Sequence, residues 1–291
     1  MEQFKGMIRK GIGGFYDVEA ADAVYICRAR GILRKEGITP LAGDSVMISV
    51  ENGSAVIDEV LPRKNSLVRP PVANLDLLFL VLSMADPAPN LPVADKMLVI
   101  AEDKGIEPVI ILTKCDLASP NEIAELYRKA GFTVLVKGEC GDLAEEIGKM
   151  MPGKIAAFAG NSGAGKSTLL NLLDPSLGLP TAEISKKLGR GRHTTRQVEL
   201  YPFCGGYLAD SPGFSELSPQ KYEPISAENL PFCFREFLPY IDHCRFTGCS
   251  HTCEKGCAVL AAMEQGEIAP SRHESYCRLY EEAKEQKSWE K

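Results

Sequence analysis

Apolar and polar residues follow two different habits along this chain. Up to about residue 67 they alternate in short runs broken by glycine. Gly11–Val18, Ala23–Arg30, Ser45–Val50 and Ser54–Asp58 each read as a strand with one buried face. Gly43-Asp44 and Asn52-Gly53 supply turns, the second a hairpin signal. Strands this short and closely spaced predict a small β-barrel of the OB type. Arg69-Pro70-Pro71 then reads as a stiff linker, because proline fixes φ and has no N–H to donate.

From Leu75 onward, wholly apolar runs alternate with amphipathic ones. Leu77–Leu82, Val109–Leu112, Thr133–Val136, Ile155–Ala159 and Tyr207–Ala209 are predicted strands. Ala94–Lys104, Glu122–Ala130, Leu143–Met150 and Ser167–Leu173 are predicted helices. That alternation predicts a mostly parallel sheet covered on both faces. After about Glu223 the strands stop, and Ala258–Gln265 and Glu274–Lys287 read as helices, the last a solvated charged tail. The expected fold is multidomain α/β: a barrel over 1–67, an α/β domain over 68–222 and a mainly helical segment over 223–291.

Composition changes this picture little. With 45% hydrophobic and 25% charged residues, the chain reads as globular, and no run reaches the length of about eighteen apolar residues that a membrane span needs. The first residues are charged with no apolar stretch behind them, so no secretory signal is read and a cytoplasmic location is expected. A net charge of −6 argues against attraction of the whole molecule to nucleic acid. Two local features escape that average. Lys186, Lys187, Arg190, Arg192 and Arg196 occur with no acid between them, and Arg28, Arg30, Arg34 and Lys35 fall on or beside one predicted hairpin. Composition favours solvated edge charges for the second group.

The chemistry lies in three loops. Gly160-Asn161-Ser162-Gly163-Ala164-Gly165-Lys166-Ser167-Thr168 follows a predicted strand and opens a helix, the context of a phosphate-binding loop. Its glycines let backbone N–H groups turn toward phosphates, Lys166 would reach the β- and γ-phosphates, and Ser167 would place its hydroxyl on Mg²⁺. Thr113-Lys114-Cys115-Asp116, after an apolar run, decides between purines. The Asp116 carboxylate would accept the N1–H and N2–H₂ of guanine side by side, whereas adenine offers an acceptor at N1. Asp210-Ser211-Pro212-Gly213 ends the last strand and fits a Mg²⁺ and γ-phosphate sensor: Asp210 through a water, Gly213 through its N–H. Gly191-Arg192-His193-Thr194-Thr195 would be a switch loop, with Thr194 or Thr195, the latter preferred, as the second Mg²⁺ hydroxyl. Phe214 stands where Ras-like enzymes carry a water-orienting glutamine. Slow unaided hydrolysis is therefore expected, with a partner or His193 completing the site. The base reader precedes the phosphate loop and sensor, a rotation of the Ras-like order, in which it follows them. An ATP-dependent kinase or ATPase is the competing reading, opposed by Asp116.

Ten cysteines in a reducing compartment are small apolar residues or metal ligands. Cys244-x₄-Cys249-x-His251-x₅-Cys257 offers three thiolates and an imidazole in one loop, a closed structural Zn²⁺ set. Cys253 and His243 are further candidates that spacing alone does not eliminate.

Together these motifs, with Gly13-Gly14-Phe15-Tyr16, Cys27-Arg28-Ala29-Arg30-Gly31 and Pro40-Leu41-Ala42-Gly43-Asp44, closely resemble the bacterial small ribosomal subunit biogenesis GTPases of the RsgA (YjeQ/YloQ) family over nearly the entire chain. The resemblance implies an N-terminal OB-fold barrel that binds RNA, a circularly permuted P-loop GTPase domain and a C-terminal zinc-binding domain. It also implies GTP hydrolysis to GDP and phosphate with Mg²⁺, binding to 16S rRNA in the 30S subunit, stimulation by that subunit, and help in releasing the assembly factor RbfA. No membrane association is expected, and the protein should be a monomer. Ser211 replaces a frequent threonine, and Val136-Lys137-Gly138-Glu139 departs from the usual serine-containing second base-binding loop.

Overall fold

The computed structural model describes residues 2–51, 53–68, 70–138, 142–173, 198–210 and 224–289. Its strands are β1 (Glu2–Ile12), β2 (Phe15–Ala20), β3 (Ala23–Ala29), β4 (Ser45–Glu51), β5 (Ser54–Val60), β6 (Ser66–Leu67), β7 (Val72–Ala73), β8 (Leu77–Ser83), β9 (Glu107–Thr113), β10 (Thr133–Val136), β11 (Ile155–Ala159), β12 (Glu199–Phe203) and β13 (Gly206–Asp210). The helices are α1 (Gly31–Lys35), α2 (Leu91–Asp103), α3 (Asn121–Lys129), α4 (Leu143–Met150), α5 (Lys166–Leu173), α6 (Ala258–Glu264) and α7 (Pro270–Trp289). The chain divides into two compact units. The first is Met1–Leu78, Ala144–Ala159 and Ser167–Glu216; the second is Phe79–Leu143, Gly160–Lys166 and Leu217–Lys291.

The first unit contains the barrel. Strands β1, β2, β3, β5 and β4 follow one another and β4 returns to β1, with β3–β5 the parallel pair. This closure removes sheet edges, as in OB folds. Alternate positions turn Ile8, Val18, Cys27, Val46, Ile48 and Ile57 inward, and α1 adds Leu33 to that core. Two sequence expectations change here. Gly11–Val18 is not one strand. Gly13 and Gly14 both have positive φ, as a type I′ hairpin turn demands, and they separate β1 from β2. All of β1 before Gly11 went unpredicted. It pairs with β4 over Glu2–Met7 and with β2 over Met7–Ile12, and a register shift between Ile8 and Lys10 bends it from one neighbour to the other.

Lys10 of β1 also lies opposite Glu199 of β12, and their side chains form an ion pair of 2.6 Å. Beyond it, β12 runs antiparallel to β13, and β13 parallel to β11. The Tyr207 hydroxyl donates to Glu19 at 2.9 Å, so barrel and strands share both backbone and side-chain bonds. Pro70 and Pro71 of the expected linker instead fall between β6 and β7, which pair as a short hairpin, and Arg69 lies outside the described residues. Buried Asn65 closes its neck, donating to Leu75 O at 2.8 Å and accepting from Leu75 N at 2.9 Å.

In the second unit β8, β9 and β10 lie side by side in that order, with β9 and β10 parallel. All seven residues of β8 are buried, the continuous apolar strand of a sheet covered on both faces. The C-terminal segment folds as short 3-10 turns followed by α6 and α7, and its aromatic core (Phe234, Phe237, Tyr276) includes Val99 of α2. The expected tail Glu274–Lys287 is not simply solvated, since Tyr276 within it is fully buried, and the turn before it is tied in as well. Arg272 of α7 is 1% exposed and bonds Asp95 of α2 and Glu236, each at 2.6 Å. Tyr127 of α3 donates to the same Asp95 at 2.9 Å, and the guanidinium lies 4.7 Å from the Phe234 ring centre. Arg235 makes a second tie, to Glu102 at 2.7 Å and Glu107 at 2.8 Å. Among the described helices none is long and apolar enough to cross a membrane.

Candidate nucleotide site and metal centre

The base-reading and phosphate segments belong to the second unit. Thr113 closes β9, is buried, and donates its hydroxyl to Ala164 O at 2.8 Å. One side chain thereby ties the Thr113–Asp116 segment to the Gly160–Lys166 loop. Lys114 follows in the left-handed region, φ 56°, and its ammonium donates to the carbonyl of Asp86. That contact fixes the lysine stem, and Asp116 stands exposed beyond it.

The phosphate loop has the backbone its sequence demands. Gly160, Gly163 and Gly165 all have positive φ, and a Cβ on Gly160 would lie 2.2 Å from Val81 O. No other residue fits there, so the loop turns tightly against β8. The Lys166 ammonium donates to Gly160 O at 2.6 Å and Asn161 O at 2.8 Å. It therefore curls over the loop it belongs to. Burial brings it down to about 8, since carbonyl dipoles replace only part of its hydration. A phosphate oxyanion would supply the missing counter-charge. Ser167 and Thr168 continue into α5.

Asp210 is the last residue of β13, opposite Glu199. The remaining expected sensor residues Ser211–Gly213, the switch residues Gly191–Thr195 with His193, Phe214 and the basic run Lys186–Arg196 lie outside the described residues. Glu139 of the second base-binding region also lies outside them, while Lys137 N bonds Leu112 O at 3.0 Å.

The metal ligands converge. One ligand atom from each of Cys244, Cys249, His251 and Cys257 lies within 4.8 Å of all the others. His251 Nδ1 is 3.5 Å from the sulfurs of Cys244 and Cys257, and those sulfurs are 3.9 Å apart. Tetrahedral Zn²⁺ with ordinary bond lengths predicts edges of about 3.6 Å for N–S and about 3.8 Å for S–S. The donor set therefore fits zinc in both chemistry and spacing. Burial pushes the Cys249 thiol up to about 12, a penalty that a bound dication reverses. Cys253 is exposed and, like His243, is not in the converging group. His251 takes φ 57°, and the loop is held from outside the ligand set. His273 bonds His251 O at 2.7 Å, Tyr276 donates to Ser250 O at 2.7 Å, and Glu254 accepts from Ser250 N at 2.7 Å. Sequence reasoning missed these supports, as it missed Arg272 and Arg235, because single polar residues have no spacing that marks them.

Comparison with known proteins agrees with this geometry. Residues 5–57 match the model of the RsgA N-terminal domain and residues 60–220 that of the RsgA GTPase. The chain belongs to the RsgA GTPase family. It is 45% identical to the small ribosomal subunit biogenesis GTPase RsgA of Enterococcus faecalis, over 96% of this chain and 95% of that protein. Identity to the RsgA of Caldanaerobacter subterraneus is 44%, over 98% and 97% of the two chains. Among solved structures it is similar to YloQ, described as a circularly permuted GTPase, with a TM-score of 0.80, 36% identity and coverage of 98% and 96%. YjeQ from Thermotoga maritima also gives a TM-score of 0.80, at 33% identity, over 97% of this chain and 99% of that one. As an RsgA GTPase the protein hydrolyses GTP. The rotated motif order read from the sequence is the circular permutation.

Proposed function

We propose that this GTPase acts late in maturation of the 30S ribosomal subunit. In this reading it binds GTP with Mg²⁺, engages 16S rRNA, hydrolyses GTP slowly when alone and faster on the subunit, and helps release the assembly factor RbfA. It works as a cytoplasmic monomer, with 1–67 and 223–291 as the two rRNA-facing ends and 68–222 as the GTPase. The names of relatives matched along nearly their full length support the link to the small subunit.

The nucleotide reading rests on one observation, the Thr113 hydroxyl on the Ala164 carbonyl. It couples a segment fit to read guanine to a loop fit to hold phosphates. Asp116 accepts from the base and Lys114 covers its face. Gly160, Asn161, Ser162, Gly163, Ala164, Gly165 and Lys166 surround the phosphates, with Cys115 and Thr168 flanking. Ser167 and one of Thr194 and Thr195 hold Mg²⁺ directly, and Asp210 does so through a water. The Gly213 amide senses the γ-phosphate and His193 aids the attacking water. Cys244, Cys249, His251 and Cys257 hold one structural Zn²⁺.

Turnover of Asp116→Asn with and without 30S subunits tests this directly, using xanthosine triphosphate as the rescuing nucleotide. The expected result is loss of GTP turnover and recovery with the altered base, stimulated by 30S. Unchanged GTP turnover in the variant rejects the base-reading role. Turnover indifferent to the subunit rejects the ribosomal one.

A further inference from the structure

Helix α2 meets the nucleotide loops at its entry and the C-terminal segment along its length. The entry, residues 84–90, is pinned on both sides. Met84 N donates to Thr113 O at 2.9 Å, and the Asp86 carbonyl accepts from the Lys114 ammonium. The Pro87 ring lies 3.5 Å from the place a Cβ would take on Gly163, so it stands against the phosphate loop. Asn90 then caps the helix, its side chain accepting from Val93 N at 3.3 Å. The grip of the C-terminal segment follows one stripe. Asp95, Val99 and Glu102 recur at the i, i+4, i+7 spacing that shares a helix face. Asp95 accepts from buried Arg272 at 2.6 Å, Val99 enters the aromatic core, and Glu102 accepts from Arg235 at 2.7 Å. Lys96, beside the stripe, pairs with Glu282 of α7 at 2.6 Å. A second face is buried through Ala94, Met97, Leu98 and Ala101.

We propose that α2 is a relay through which the C-terminal segment sets guanine-nucleotide affinity, and through which bound nucleotide steadies that segment. The proposal rests on the nucleotide reading above. A helix packed on two faces moves as a block, because close-packed interiors shift between arrangements rather than deform. A displacement at Arg272 or Arg235 therefore arrives at Asp86 and Pro87. There it moves the stem of Lys114, which covers the base, and the glycine turn that surrounds the phosphates. Linkage makes the effect reciprocal, the same factor acting in both directions.

The test measures GDP affinity of the zinc-loaded full chain in variants that cut only the distant grip. Arg235→Met and Lys96→Glu should each weaken GDP about threefold to tenfold, the range expected for coupling carried by single contacts. Adding Glu282→Lys to Lys96→Glu rebuilds the ion pair with its charges exchanged and should restore affinity. Glu282→Gln, which keeps the shape, replaces the reversal if the latter unfolds the segment. Lys129→Met is the control, since the Lys129 ammonium donates to Gly266 O and ties the C-terminal segment to α3 instead of α2. It should leave GDP affinity unchanged, which a general loosening of the segment would not. Hydrogen exchange reads the other direction: GDP should slow exchange in α7, and by less in Arg235→Met. Unchanged affinity in the α2 variants, equal weakening in Lys129→Met, or exchange in α7 indifferent to GDP overturns the relay. Amide NMR shifts at Lys114 and Gly163 on adding GDP to the unsubstituted chain read the site itself. Without those shifts the site reading falls and takes the relay with it; with them, unchanged affinities sink the relay alone.

Discussion

The barrel and the zinc segment reach stability by opposite routes. The barrel is a closed ladder of backbone bonds around an aliphatic core, with Ile8, Val46, Ile48 and Ile57 fully buried. The zinc segment has no strand among its described residues. It is held by a metal-ligand cluster, an aromatic stack and the fully buried Arg272. A barrel of this kind degrades by small increments as methylenes are removed. A segment organised by a metal-ligand cluster and one buried cation should fail abruptly when either is lost. The zinc segment also shares a unit with the nucleotide loops, tied through Asp95, Glu102 and Tyr127 to α2 and α3. Its failure should therefore be felt in chemistry, whereas damage to the barrel core should appear first as lost stability.

Metal removal breaks the comparison most severely. Structural zinc sites contribute about 10–16 kcal/mol of binding energy, much of it folding energy for the loop that wraps the ion. Strong chelation should abolish protection of amides in α6 and α7 while β1–β5 stay protected, as read by hydrogen exchange. Simultaneous loss in the barrel would show that the two regions are one cooperative element. Next in size is Arg272→Met, which fills the space but leaves Asp95 and Glu236 buried without their cation. Breaking such a network costs about 3–5 kcal/mol. Ile48→Ala in the barrel should cost a similar 2–5 kcal/mol. The two variants should differ in readout rather than in size: Arg272→Met lowers GDP affinity and Ile48→Ala leaves it unchanged.

These contrasts explain what the sequence disclosed. Thr133–Val136, Leu143–Met150 and Ile155–Ala159 were legible to the residue because each pattern answers to one environment. β1 was not, since it serves two neighbours and bends at Ile8–Lys10, so its alternation reverses partway. β12 was missed because Pro202 argues against a strand, yet its position in an antiparallel pair accommodates it. The glycines of the phosphate loop and the four zinc ligands could be read because their chemistry fixes their spacing. Arg272 could not. Its partner Asp95 is 177 positions away, and an arginine among glutamates looks like a solvated helix until the packing is known.

A smaller effect tests the tie within the nucleotide loops. Thr113→Val keeps the shape but leaves the Ala164 carbonyl without its buried donor, at a cost of about 1–3 kcal/mol. Most of that should appear as faster GDP release, measured by stopped flow, with little change in melting temperature.

The smallest effect is a proton. Lys166 stands at about 8 in the protein without nucleotide, because burial disfavours its charge. Phosphate oxyanions restore that charge, so the lysine is fully protonated in the complex well above pH 8. Below about pH 7 it is already charged and binding moves no proton there. At pH 8.5 most molecules must take one up, so affinity falls as pH rises through this range, by at most about tenfold per unit. Calorimetry of GDP binding in two buffers of different ionisation enthalpy should show net proton uptake at pH 8.5. Uptake should vanish in Lys166→Met and persist in Ile48→Ala, which confines the effect to the unit that carries the loops. Equal heats in both buffers at pH 8.5 would mean that the ammonium is no more buried than the barrel's surface lysines.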